Sequence, residues 1–318
     1  MITCHITRIG CAKAIFFKGL TLAKKKENTD NQDDRDVSVS QEKILDEELA
    51  DNSDLIGRIK YNVNKQGWFS DLKICFCVLT RLPVYIGISP EDFSISNASR
   101  FFPIVGAFIG LLASVVLWIG SWFGFSPNLL ALFALLTITL VTGALHEDGL
   151  ADTFDGLGGG ITRDQKLKIM RDSQIGSYGV MALLFSFGLR WAAYAEITEL
   201  GFSIILSALI ATAAGSRAAL PVIMHLIPVA REDGLSASAG KPSLDRAITA
   251  LLIGIGCLLF LLGFRVSIVA LGMSILVASL FVYFVATRIG GQTGDVLGAA
   301  QQITEITILL AIIMVGME

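Results

Sequence analysis

Charged residues are sparse beyond residue 100 and gather in short clusters, which leaves apolar runs between them. Seven runs approach membrane length: 101–123, 128–145, 178–197, 202–224, 247–264, 266–287 and 303–315. A spanning helix needs roughly 20 apolar residues, because it rises about 1.5 Å per residue through a hydrocarbon core about 30 Å thick. The first, fifth and sixth runs carry no charge, whereas the third holds Arg190, the fourth Arg217 and the last Glu305. Those three side chains must face protein, cofactor or water rather than lipid. Arg217, in AAGSRAAL, reads either as a snorkelling residue or as a partner for an anion inside the bundle, and its mid-span place favours the second.

Ahead of the first run, residues 68–84 (WFSDLKICFCVLTRLPV) are too polar to span. They predict an interfacial helix ended by Pro83, with its apolar face in the bilayer and Lys73 and Arg81 outward. The fold class is therefore all-α: a polytopic membrane bundle of about seven transmembrane helices plus an N-terminal interfacial helix. Lys and Arg set its orientation. They fall before the first run (Lys60, Lys65, Lys73, Arg81, Arg100) and in alternate loops (Arg163, Lys166, Lys168, Arg171; Arg231, Lys241, Arg246; Arg288), while the opposite loops carry Arg265 alone. That pattern places the N-terminus and every polar loop in the cytoplasm, with the C-terminus outside.

Composition agrees. The chain is 53% hydrophobic but only 17% charged, below the quarter usual in soluble domains. A net charge of −3 gives no footing for a nucleic-acid partner. Residues 1–66 form no clean signal peptide, and 24–54 are too rich in Lys, Asp, Glu, Asn and Gln to bury a core. They read as a disordered cytoplasmic extension before a membrane domain at 67–318. The five cysteines show no zinc spacing or disulfide framework, and Cys75 and Cys77 read as packing residues.

The densest polar segment is HEDGLADTFDGLGGG at 146–160. Asp148, Asp152 and Asp155 stand at i, i+4 and i+7, so a second span continuing through them would carry all three within roughly 60° of its surface. The glycines at 156 and 158–160 would then end the helix. Carboxylates packed this closely repel unless a cation holds them, and oxygen-only ligands with open positions suit Mg²⁺ against substrate phosphates. The competing reading is a solvated loop that caps two spans. Two neighbours weigh against it. Arg171, Asp172 and Ser173 add a phosphate-pairing cation, a carboxylate and a hydroxyl in the same loop. A second glycine-rich turn, GGQTGDVLG, brings Asp295 and offers Gly291, Thr293 and Gly294 to phosphate. His146 could position substrate or move a proton. Arg231, Glu232 and Asp233 read equally as a charged turn or as part of the site, and His5 and His225 as incidental.

Together these segments resemble the cobalamin synthase family, the adenosylcobinamide-GDP ribazoletransferases. The stretches are LTRLPV (79–84), FFPIVGAFIG (101–110), HEDGLADTFDG (146–156), IMRDSQIGSYG (169–179), GSR (215–217), AREDGL (230–235) and GGQTGDVLGA (290–299), in the family's order. The extension before Gly67 lies outside that pattern. The resemblance implies a Mg²⁺-dependent phosphotransferase of the bacterial inner membrane with its site toward the cytoplasm. It implies that adenosylcobinamide-GDP and α-ribazole, or its 5′-phosphate, give adenosylcobalamin, or its 5′-phosphate, and GMP. Carried onto this chain, Asp148, Asp152, Asp155 and Asp295 would hold metal. His146 and Arg171 would join the chemistry, with Arg217, Asp172, Ser173, Gly291, Thr293 and Gly294 at the substrate. Homo-oligomerisation or association with other enzymes of the pathway stays open. Two other classes stay in view: a transporter using Arg190, Arg217 and Glu305, and an intramembrane prenyltransferase, for which one aspartate in GGQTGD is too few.

Overall fold

The computed structural model describes residues 67–84 and 93–316, and all the secondary structure there is helical apart from one isolated bridge. The expected N-terminal extension lies outside these residues. In chain order the helices are α1 (Trp68–Leu79), α2 (Ile95–Ala98), a 3-10 turn (Ser99–Phe101), α3 (Phe102–Trp122), α4 (Pro127–Thr142), α5 (Leu145–Gly159) and α6 (Arg163–Ile169). They continue with α7 (Ser177–Leu200), α8 (Phe202–Leu226), α9 (Leu235–Ala239), α10 (Leu244–Ile289) and α11 (Gly294–Val315).

Five helices are long and apolar enough to cross a membrane, and the bent pair α4–α5 makes a sixth. Their outer faces are greasy. Phe260 is 90% exposed, and Leu184, Phe185 and Leu252 also point outward, as lipid-facing side chains do. Two of the seven expected runs fall within α10, which is not one straight helix. A straight helix of 46 residues would separate its ends by about 69 Å. Yet His225 Nδ1 lies 2.9 Å from Pro242 O at one end, while Arg163 ties Ala230 O to Ile289 O at the other. Residues 225 and 230 stand within roughly 17 Å of each other even if fully extended. The helix must fold back, and it does so at Gly263, whose φ of 74° and ψ of 171° are not helical.

Small residues draw the spans together. A Cβ on Gly106 would stand 2.2 Å from Ala213 O, and one on Gly110 2.4 Å from Leu209 O, so α3 and α8 touch backbone to backbone. The Gly-xxx-Gly spacing serves this close crossing, since packing is what joins helices in lipid.

The interfacial helix differs from expectation. It ends at Leu79, with Thr80 as its C-cap, before Pro83 is reached. Its apolar face is buried against protein through Ile74, Cys75 and Leu79, whereas Trp68 and Phe69 are exposed. Arg100 pairs with the buried Asp71 at 2.7 Å, and that ion pair explains the orientation.

The second span does not continue through the acidic motif. Gly143 (φ 65°) and Ala144 (φ 58°) both adopt left-handed backbone, and α5 departs from α4 at 87°. The amides of Gly143 and Ala144 satisfy Leu140 O and Thr139 O, and Ala144 O already accepts Asp148 N–H, so one helix closes as the next begins. The motif is thus a helix of its own, set nearly at a right angle to α4. The glycines do not break it early either, because α5 runs to Gly159 and stops at Gly160.

Candidate active site

The acidic helix is held by close contact with α11. A Cβ on Gly149 would stand 2.8 Å from Asp295 O and 3.0 Å from Asp295 Cα, and one on Gly298 would stand 3.2 Å from His146 O. These two glycines let the backbones meet, which carries the first carboxylates of α5 to the start of α11. Gly149→Val is expected to push the helices apart and cut turnover about a hundredfold with Asp148, Asp152 and Asp295 all present, since misplacement by about 1 Å costs that much. Activity of the inserted variant against wild type checks this, and an unimpaired variant would mean that the crossing does not set the site.

Along α5 the three aspartates part company. Asp148 is exposed, Asp152 half-buried and Asp155 buried. The charges of Asp148, Asp295 and Asp155 act against that of Asp152, with Arg231 opposing. Asp148, Asp152 and Asp295 therefore form one electrostatic cluster drawn from two helices. Arg231 is its cation, with Nη2 3.4 Å from Asp295 Oδ2. Thr293 Oγ1 bonds the same oxygen at 3.1 Å and accepts Val296 N–H as the N-cap of α11, fixing the carboxylate in place.

Asp155 faces another way. Its oxygens accept Gly176 N–H at 2.7 Å and Gly179 N–H at 2.8 Å, capping α7, where the unpaired amides and the dipole favour a carboxylate. Gly176 and Gly179 have to be glycines, because a Cβ on either would strike that carboxylate within 2.4 Å.

Other expected residues scatter. Arg171 pairs with Asp233 at the exposed rim, and Asp172, also exposed, accepts Gln174 N–H in a local turn. Ser173 is exposed beside them. His146, in the first turn of α5, is buried with Nε2 unpartnered. Arg217 is buried and donates to Ala213 O at 3.0 Å, and among the described residues it makes no ion pair with a carboxylate. The glycine-rich turn is occupied by protein. Gln292 N–H bonds Pro228 O and Ala230 N–H bonds Gln292 O, each at 2.8 Å, while Gly291 sits against Pro228 O. Gly294 opens α11.

Sequence reasoning turned Arg190 and Glu305 inward but missed the polar layer they form together beneath the site. Arg190 on α7 lies 3.1 Å from Glu147 on α5 and 3.7 Å from Glu305 on α11. Glu305 also accepts from Tyr194 at 3.1 Å and Gln301 at 2.6 Å, and Ser186 reaches Gln302 at 3.0 Å. Gln301 and Glu305, four apart in an apolar run, were the available signal. Arg163 was missed too. Its guanidinium bonds Ile289 O and Ala230 O, so three polar loops meet on one face.

Among the described residues, no three His, Cys, Asp or Glu side chains converge tightly enough to cage a metal alone. Mg²⁺ rarely needs such a cage, since it keeps several waters and binds one or two carboxylates together with substrate phosphates. Oxygen donors whose charges already oppose one another, as at Asp148, Asp152 and Asp295, fit such an ion.

The family described as cobalamin-5-phosphate synthase matches residues 71–313. An adenosylcobinamide-GDP ribazoletransferase of Bradyrhizobium diazoefficiens is 47% identical over 241 residues, covering 76% of this chain and 92% of the relative. Those of Mesorhizobium japonicum (44%, covering 76% and 91%) and Shewanella sp. (38%, covering 79% and 98%) are also similar. No solved structure matches.

Proposed function

The chain belongs to the cobalamin-5-phosphate synthase family, and from this membership we propose that it is the adenosylcobinamide-GDP ribazoletransferase of its pathway, in the bacterial inner membrane with its site toward the cytoplasm. The observation that carries the reading is the meeting of Asp148 and Asp152 of α5 with Asp295 of α11 beside Arg231. A diphosphate needs both counter-charge and alignment, and this cluster supplies the means for both.

Asp148, Asp152 and Asp295 would hold Mg²⁺, which when bound neutralises charge on the diphosphate and on the leaving phosphate. The remaining work falls to side chains. A ribose hydroxyl of α-ribazole, or of its 5′-phosphate, attacks the phosphorus attached to cobinamide. The new O–P bond forms as the bond to the bridging oxygen breaks, and GMP leaves with that oxygen. A carboxylate of the cluster takes the hydroxyl proton. Arg231, held by Asp295, lies where a guanidinium can pair with phosphate oxygens. In-line geometry makes positioning the main contribution, and the α5–α11 crossing provides it.

The test is GMP release from adenosylcobinamide-GDP by membranes carrying the protein. Release that requires both α-ribazole and Mg²⁺ is expected. No release with both present, at normal protein levels, would overturn the reading.

A further inference from the structure

Beside the acidic cluster, and sharing Arg231 with it, a cavity of about 610 Å³ opens between α6 and the 229–232 loop. Its charged lining is Arg163, Lys168, Arg171 and Arg231 against Asp164 and Glu232, a surplus of two positive charges. These cations are not equally committed. Arg163 is spent on Ile289 O and Ala230 O and pairs with Asp164, so it builds the wall. Lys168 is exposed and has no partner among the described residues. Arg171 is held only by Asp233 at the rim. Arg231 spans both places, with Nη2 on Asp295 while its buried Nη1 meets no acceptor. Burying a guanidinium N–H without a partner is costly, so that edge is made for an anion.

Size narrows the occupant. Cavities of roughly 300–1,000 Å³ enclose ligands of nucleotide scale, and a corrin ring with its side arms would have to remain outside. We propose that this cavity seats the phosphate end of a nucleotide substrate, with Lys168, Arg171 and the free edge of Arg231 as its anion contacts. The inference rests on the transferase reading above and assigns a place to one of its substrates. Arg231 then sets the spacing, because the seated nucleotide lies one guanidinium away from Asp295. Two sources share this chemistry: the guanosine diphosphate end of the activated corrinoid, whose product is GMP, and the 5′-phosphate of phosphorylated ribazole.

The experiment uses the full chain in lipid nanodiscs, as wild type, as Lys168→Glu and as Lys168→Glu/Arg171→Glu. GMP, α-ribazole 5′-phosphate and unphosphorylated α-ribazole are titrated by calorimetry, and KM is measured for each substrate. Lys168→Glu is expected to weaken binding of one phosphorylated nucleotide about tenfold, near 1.4 kcal/mol, without altering α-ribazole binding. Loss confined to GMP, with a raised KM for adenosylcobinamide-GDP whichever acceptor is used, assigns the guanosine end. Loss confined to α-ribazole 5′-phosphate assigns the acceptor. Unchanged affinities and KM values in both variants overturn the proposal while leaving the reaction standing. Failure of the reaction reads differently: the wild type would release no GMP, while the binding titrations still decide the cavity.

Discussion

Asp148→Asn and Asp152→Asn are each expected to lower GMP release at least about a hundredfold, in protein that still inserts into the membrane. Asparagine keeps the size of the side chain and most of its hydrogen bonding, so α5 can keep its crossing with α11. What it removes is one negative charge from the cluster shared with Asp295. Losing one preorganised group that stabilises transition-state charge costs about 10² to 10³ in rate. Relief of repulsion gives the changes a second signature, since each should leave the folded protein as stable as wild type or more so. Turnover assays with thermal unfolding in detergent separate the two readouts. Near-normal turnover in both variants at ordinary Mg²⁺ would remove the carboxylate cluster from the reaction.

Arg190→Leu is the second large effect, and it acts on the fold. The guanidinium is 2% exposed between Glu147 and Glu305, which belong to the two helices that bear the cluster. Removing it leaves two buried carboxylates facing each other without a cation, a change that costs about 3–5 kcal/mol in buried pairs. The expected outcome is a protein that inserts but melts far below wild type, with activity lost at growth temperature. Arg190→Lys keeps the charge and should recover part of both. Equal melting temperatures for Arg190→Leu and wild type would show that the three helices are held by other contacts.

Particular residues show how far the sequence could be read. The spans were legible because lipid enforces long apolar runs, and Arg190 and Glu305 turned inward as their cost in lipid requires. The acidic motif and Asp295 stood out as a polar group because carboxylates and glycines crowd there in an otherwise apolar chain. The right angle at Gly143–Ala144 was not, because an alanine in left-handed backbone leaves no mark in a run of apolar letters. Asp155 looked like Asp148 and Asp152 for a similar reason. A carboxylate that caps a helix and one that faces a substrate are the same letter, and only the amides of Gly176 and Gly179 tell them apart. The apolar side of α1 was read as lipid-facing because sequence gives amphipathicity without naming what covers the face. Arg163 resembled any solvated loop cation until the carbonyls around it were seen.

The contact between α5 and α11 joins parts of the chain made far apart in time. Asp148 leaves the ribosome well before Asp295, and the hairpin of α10 must be delivered in between. A nascent chain halted anywhere ahead of Gly294 therefore carries Asp148 and Asp152 without Asp295, and Arg231 waits for its partner. The cluster is complete only once the start of the final helix has been made.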